Sequence, residues 1–296
     1  MNLLLVFNPA AAAGRAARLL PGVRSALETF ARVEVMETRG AGDATERVAR
    51  ADLSAFDAVL AAGGDGTLFE VLNGLYRQDK SNRIPLGLIP AGTGNAFARD
   101  LGLEPRDWEK GIGLVHAGHT RPVDVGRVSS PSGTYHFLNI VGAGLPVDAM
   151  NTAVQLKLAG NTAYTLATLW HAMRLKSYPL HLEIDGKVIR QDSMFVEISN
   201  TRYTGTSFLI APDAVPDDGF LDVVLLARLS RRRLLRLFPT IYSGRHVRHD
   251  EVRMFRAREI RILGPSGIGL APDGECQGYT PATITCLHRD LQIFSL

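Results

Sequence analysis

The 296 residues, 46% of them hydrophobic and 21% charged, carry enough apolar material for one large domain or two ordinary ones, which excludes intrinsic disorder and collagen-like repetition. The two cysteines, Cys276 and Cys286, exclude a disulfide scaffold and, within this chain, a four-ligand structural zinc site. The net charge of +3 hides a segregation: between Arg228 and Arg261, eleven arginines stand against Asp250, Glu251 and Glu259, leaving that segment at +8 and the remainder near −5. A concentrated positive field attracts polyanions such as nucleic acid or anionic lipid headgroups. Only Phe238, Tyr242 and Phe255 are interleaved with the arginines, too few for a base-stacking platform, so a membrane surface is the expected partner and nucleic acid is not. No stretch approaches a membrane span, since the best, residues 163–175, is broken by His171. The start lacks the basic leader of a signal peptide, so the protein is expected in the cytoplasm, peripheral at the inner face of the membrane.

The first 125 residues alternate strand-like and helix-like stretches. A buried strand over 3–7 precedes a helical pattern with Leu19, Leu20, Val23, Leu27 and Phe30 on one face. Residues 33–36 form the next strand, Asp43 is the expected N-cap of a helix to residue 51, and 57–62 read as a buried strand. A helix over 67–76, a strand over 86–89 and a helix from 95 continue an alternation that specifies an open, mainly parallel sheet. Such sheets bind ligands beyond the carboxyl ends of their strands.

From residue 121 the pattern shifts to short alternating runs, at 135–140, 180–184, 194–198 and 221–225, with helices expected at 147–157, 162–175 and 231–242. Asp185-Gly186 predicts a hairpin turn. The reading is an α/β domain over 1–125 and a β-rich domain over 126–296 whose last strand can return to the first domain, with the active site in the cleft between them.

Chemistry is concentrated in glycine loops. Gly63-Gly64-Asp65-Gly66-Thr67 lies between a buried strand and an amphipathic helix, where backbone N–H groups can approach an anion and the helix dipole favours it. Asp65 would repel a phosphate unless a divalent cation lay between them, so the loop implies Mg²⁺. A second strand-to-helix loop, 87–95, carries Gly92, Thr93, Gly94 and Asn95, and a third follows the first strand, with Asn8, Pro9, Gly14 and Arg15. Neither a P-loop nor a Rossmann fingerprint is present.

These motifs resemble the diacylglycerol kinase catalytic family, which includes bacterial lipid kinases and sphingosine and ceramide kinases. The likeness extends through Asn73-Gly74, Arg121-Pro122-Val123-Asp124, Ala211-Pro212-Asp213-Ala214, Asp217-Asp218-Gly219-Phe220-Leu221-Asp222 and Asp273-Gly274-Glu275. The resemblance implies an ATP-dependent kinase that phosphorylates a lipid hydroxyl, with a place in phospholipid biosynthesis. Carried over residue by residue, it places ATP on Asn8, Pro9, Gly14, Arg15, Thr38, Gly63, Gly64, Asp65, Gly66, Thr67, Thr93 and Asn95. Asp65 organises metal near the phosphates, and Asp273 or Glu275 supplies the general base. A structural Mg²⁺ is implied at the Asp218 carboxylate with backbone oxygens near Val215 and Phe220, and Asp124 is a further candidate for the acidic network.

Two departures stand out. Ala96 occupies a position where many bacterial members carry aspartate, a usage closer to sphingosine kinase-like members. The run 139–145 strays from the family's Gly-Phe-Asp, with Asp148 following shortly. His246 reads as structural and Cys276 as an incidental thiol. Acceptor identity is open among diacylglycerol, sphingoid base, ceramide, phosphatidylglycerol and polyprenol, and oligomeric state between monomer and homodimer. Rival readings are an NAD kinase-like phosphotransferase and a non-catalytic nucleotide- or lipid-binding regulator.

Overall fold

A computed structural model describes residues 1–92, 94–145, 147–148, 174, 176–205 and 207–295. The chain divides into two units, Met1–Val123 with Arg289–Leu296, and Asp124–His288. None of the described helices is long and apolar enough to cross a membrane.

In the first unit, β1 (Asn2–Phe7), β2 (Arg32–Glu37), β3 (Ala58–Gly63) and β4 (Leu86–Pro90) pair in parallel in the order β2-β1-β3-β4. Every residue of β3 and β4 is buried, which is why they read as unbroken apolar runs rather than as alternation. The connecting helices are α1 (Leu20–Glu28), α2 (Asp43–Arg50), α3 (Asp65–Tyr76), α4 (Ala96–Asp100) and α5 (Trp108–Ala117). They bury Val23 and Leu27 of α1, Leu68, Val71, Leu72 and Leu75 of α3, and Ile112 and Val115 of α5. Ile293, near the chain's end, pairs in parallel with Leu86 on the far side of β4. The chain leaves β1 toward β2 on one side and returns as β3 on the other, so the strand order reverses between β1 and β3. That switch point is where an open parallel sheet presents two diverging loops to a ligand.

The entry to α2 differs from the sequence expectation. Its N-cap is Gly42 at φ 82, and the Gly42 and Ala44 N–H groups are received at 2.8 and 3.0 Å by the Glu70 carboxylate of α3, while Asp43 accepts the Arg39 N–H at 3.0 Å. A side chain from another helix thus does the capping that a local aspartate was expected to do.

In the second unit the chain continues along β5 (Thr120–Ser130) into β6 (Gly133–Phe137), β7 (Ile140–Gly144), β8 (Tyr178–Ile184), β9 (Lys187–Ser199), β10 (Tyr203–Thr204), β11 (Phe208–Leu209) and β12 (Leu221–Ala227). After α6 (Arg231–Leu237) and a 3-10 helix, Phe238–Ser243, come β13 (Val252–Ala257), β14 (Glu259–Gly264), β15 (Leu270–Pro272) and β16 (Ala282–Phe294). The path β13-β12-β9-β8-β14-β16 is antiparallel, and β7 joins β9 and carries β15. The second half of β9, 193–199, and β12 are buried on both faces. Val196, Ile198, Val223 and Leu225 enter one core with Val128, Phe137, Ile260 and Ile284, while Phe195, Val224 and Leu226 enter a second with Phe208, Leu234 and Leu237. The hairpin between β8 and β9 turns at Asp185 (φ 43) and Gly186 (φ 79), the paired left-handed geometry a two-residue turn needs. The run 135–140 is not one strand but two, interrupted at Leu138-Asn139. Of the helices expected over 147–157 and 162–175, Val147 and Asp148 are helical and all other positions except Arg174 lie outside the described residues.

Candidate active site

Three loops of the first unit meet at the carboxyl ends of β1, β3 and β4. The Asn8 side chain accepts the Ala10 N–H through Oδ1 at 3.0 Å, closing a turn through Pro9, and donates through Nδ2 to the Thr67 hydroxyl at 3.0 Å, tying the loop after β1 to the glycine loop after β3. The Gly63 carbonyl accepts the N–H groups of Ala91 and Gly92 at 3.0 and 2.9 Å, tying the glycine loop to the one after β4. Side chains are sterically forbidden at these crossings: a Cβ on Gly63 would lie 2.2 Å from the Thr67 hydroxyl, and one on Gly92 would lie 2.5 Å from the Gly64 Cα. Ala12 (φ 53), Ala13 (φ 57) and Gly14 (φ 81) follow one another in the left-handed region, a backbone strain of the kind found at ligand clamps. Arg15 is exposed, its Nε held on the Ala12 carbonyl at 2.9 Å, and Thr38 stands at the end of β2 with its N–H on the Phe7 carbonyl at 2.8 Å. Gly66 lies in the first turn of α3; Thr93 lies outside the described residues.

Asp65 links the second and third of these loops. Its Oδ1 accepts the Ala96 N–H at 2.8 Å, capping α4 from a different loop, and its Oδ2 faces Gly94, where a Cβ would come within 2.7 Å. Enclosure pushes this carboxyl up to about 6, against the pull of the backbone N–H groups at the start of α4. Next to it Asn95, 1% exposed and at φ 52, has neither its side-chain oxygen nor its nitrogen paired among the described residues. An unpaired buried amide costs about 1–3 kcal/mol and is retained where a polar ligand completes it. Glycine-lined backbone, a helix terminus, one carboxylate with an oxygen to spare and an unpaired amide fit a nucleotide's phosphates with Mg²⁺, an ion that takes few protein ligands and relies on phosphate oxygens and water.

In the second unit the structure separates Asp273 from Glu275. Asp273 is 7% exposed at φ 45 and accepts three N–H groups, from Leu138 at 2.9 Å, Asn139 at 2.8 Å and Ile140 at 3.0 Å. Its lone pairs are committed to the gap between β6 and β7, which is also why the run 135–140 breaks there. Glu275, two residues on and past Gly274 at φ 86, is partly exposed with its N–H on the Pro272 carbonyl at 2.8 Å. Of the two carboxylates, Asp273 is the one that shapes the turn and Glu275 the one the turn leaves partly exposed.

At the Asp218 loop the carboxylate is already engaged. Asp218 Oδ1 accepts the Phe220 N–H at 3.0 Å and Oδ2 pairs with the Arg256 guanidinium, while Val215 is 44% exposed. Among the described residues there is no group of three or more histidine, cysteine, aspartate or glutamate side chains able to hold a metal. A Mg²⁺ held by Asp218 with backbone oxygens near Val215 and Phe220 would have to take this carboxylate from the Arg256 guanidinium. What fixes this loop is Asp124, fully buried, whose Oδ2 accepts the Gly219 N–H at 2.6 Å, whose Oδ1 meets His288 Nδ1 at 2.9 Å, and whose own N–H is received by the Pro216 carbonyl at 2.6 Å. Asn200 completes this network, donating to the carbonyls of Asp124 and Leu138 at 2.9 and 2.8 Å. Neither His288 nor Asn200 carries a sequence signal beyond its residue type. His246 is 1% exposed and bonds the Ile210 carbonyl at 2.9 Å through Nε2, a structural post.

The fold is a two-unit architecture, a parallel-sheet unit and an antiparallel unit, of the kind found in NAD kinases. An NAD kinase from Archaeoglobus fulgidus, solved in complex with ATP, superimposes with a TM-score of 0.54 at 14% identity over 100% of this chain and 94% of its own. The family models narrow the class: residues 2–128 match the diacylglycerol kinase catalytic domain and residues 139–295 the YegS C-terminal NAD kinase beta sandwich-like domain. A diacylglycerol kinase of Mycobacterium tuberculosis is 35% identical over 97% of this chain and 92% of its own, and one of Bacillus subtilis 33% identical over 86% and 83%. The crystal structure of a diacylglycerol kinase from Bacillus anthracis superimposes with a TM-score of 0.83 at 26% identity, covering 100% of this chain and 97% of its own. The chain belongs to the diacylglycerol kinase family, and its relatives support a kinase role.

Proposed function

We propose that the protein is an ATP-dependent lipid kinase that transfers the γ-phosphoryl group to a lipid hydroxyl. The observation that carries this reading is the junction of three loops at the β1/β3 switch point, made by the Asn8–Thr67 bond and by the Gly63 carbonyl on Ala91 and Gly92. Phosphoryl transfer asks a protein chiefly for positioning and charge neutralisation. Those backbone N–H groups of the two strand-to-helix loops that are not already donated to the Gly63 and Gly64 carbonyls would, with Arg15, hold the phosphate oxygens, and Asn95 would find the partners its buried amide lacks. Bound through Asp65, Mg²⁺ would neutralise charge on the transferring phosphate and the ADP oxygen that leaves. Glu275 would accept the hydroxyl proton as the new oxygen–phosphorus bond forms and the bond to ADP breaks. The relatives' names favour diacylglycerol as acceptor, and the reading places the protein in the cytoplasm, acting on membrane lipid from the inner face.

The test is transfer of label from γ-labelled ATP, with Mg²⁺, into diacylglycerol, sphingosine, ceramide, phosphatidylglycerol and a polyprenol in mixed micelles, beside NAD and an Asp65→Asn control. Labelled lipid that depends on Asp65 is expected. Labelled NAD phosphate would replace the lipid reading with the NAD kinase one, and nucleotide binding without transfer to any acceptor would favour a regulator.

A further inference from the structure

Seven arginines and no acid lie between Arg228 and His249, and the structure sorts them by partner. Arg233 is spent internally, donating to Glu251 at 2.9 Å. Arg232, Arg236 and Arg248 are exposed and make no ion pair among the described residues, and Arg245 reaches only the Ser243 hydroxyl, at 3.1 Å. The exposed positions recur at helical spacing through α6 and the following 3-10 helix: Arg232, Leu235, Arg236, Pro239, Tyr242 and Ser243. The opposite face, Leu234, Leu237 and Ile241, is packed in the second core, so the outer face is held in place by the sandwich rather than formed on binding. Two of its members are large and apolar: Leu235 is 49% and Tyr242 44% exposed.

We infer that this face is a docking surface for an anionic lipid bilayer. Guanidinium groups flanking exposed apolar side chains are the composition that settles at a headgroup boundary, with the cations on the phosphates and the apolar tips below them. A nucleic-acid partner fits less well. Leu235 gains nothing from a phosphate backbone, and the Tyr242 ring is already engaged edge-on with Phe208, at 5.1 Å and 73°, and with Phe238, at 6.3 Å and 84°, which leaves it unsuited to stack a base. The inference extends the lipid-kinase reading by giving the enzyme a way to meet an acceptor whose tails are in a membrane, but its test needs no turnover.

The experiment is flotation of the full chain with phosphatidylcholine vesicles, with and without phosphatidylglycerol, across a salt series. Binding is expected only with the anionic lipid and should weaken as salt rises. At about five-fold per arginine, R232Q/R236Q should bind roughly 25-fold more weakly. L235S/Y242S should lose the part of binding that survives high salt. Both variants should retain the wild-type melting temperature and wild-type turnover of a short-chain, water-dispersed acceptor. Equal vesicle binding by R232Q/R236Q and wild type, binding to phosphatidylcholine alone, or preference for duplex DNA over anionic vesicles would each overturn the docking face. Vesicle binding without phosphorylation of any lipid would overturn the kinase reading and leave the docking face standing.

Discussion

Two regions handle polar groups in opposite ways. Around Asp273, two carboxylates are paired within the protein: three backbone N–H groups close on one, and the other, Asp124, is shared between Gly219 and His288. At the loops after β1, β3 and β4, polar groups are left wanting. Asn95 is buried without a partner, Asp65 is enclosed at the expense of its charge, and three consecutive residues sit at positive φ. Burial without pairing is unfavourable for a folded chain on its own and becomes favourable when a ligand supplies the missing charge and donors. The first arrangement builds a turn; the second is the one on which the nucleotide reading rests.

The largest effect that could break this contrast is on Asp273. Asp273→Ala strands three buried N–H groups, each worth about 1–3 kcal/mol, and should lower unfolding free energy by roughly 4 kcal/mol in urea titrations. Glu275→Gln should leave stability within about 0.5 kcal/mol and lower kcat by about 10²–10⁴-fold. If Asp273→Ala kept full stability and lost only turnover, the two roles would be reversed.

Asp65→Asn should cost about 10²–10³-fold in kcat, as removal of one fixed electrostatic group does. Its effect on stability should have the other sign. A carboxyl raised from 3.8 to about 6 by enclosure favours the fold when protonated, so this stability is present below about pH 4 and is lost as pH rises to about 6. The neutral amide escapes that loss, and thermal unfolding at pH 7.5 should show Asp65→Asn no less stable than wild type. A smaller effect is expected at the loop junction: Gly92→Ala forces a Cβ to within 2.5 Å of the Gly64 Cα, backbone against backbone, and should destabilise by about 1–3 kcal/mol while raising KM for ATP.

Much of the parallel-sheet unit was legible in the sequence because local signals and tertiary structure agree there. Residues 58–62 and 86–89 are apolar throughout because helices cover both sheet faces, and glycines stand at 63 and 92 because two loops cross at backbone distance. Legibility failed where a partner comes from far along the chain. The break at Leu138-Asn139 is enforced by a carboxylate more than 130 residues away, the cap of α2 by Glu70, and the pairing of Asp218 by Arg256. None of these is encoded at its own position. Asp-Gly-Glu could be read as a base without showing which carboxylate is spent on the turn, since that depends on N–H groups that only the fold brings to Asp273.

Glu197 offers the finest test, because it shares the signature of Asp65 without its setting. It is 3% exposed on β9, opposite Gly142 of β7 and Val224 of β12, with Oε1 unpaired, and burial pushes its carboxyl up to about 7 against a hydrogen bond from Thr204. No glycine loop or helix terminus accompanies it. The unfolded chain releases this proton near pH 4.5 and the folded one only near 7, so the stability it contributes is intact below about 4.5 and is lost progressively up to about 7. Glu197→Gln keeps the shape and the Thr204 partner but carries no proton to lose. Its advantage over wild type should be near zero at pH 4.5, rise through pH 6 and level off above 7 at about 3 kcal/mol, with kcat unchanged. A raised carboxyl pKa alone would then be shown to mark burial, and its coincidence with ligand-ready loops at Asp65 would be what marks the site. Loss of turnover in Glu197→Gln at unaltered stability would instead place a second working carboxylate in the β-rich unit.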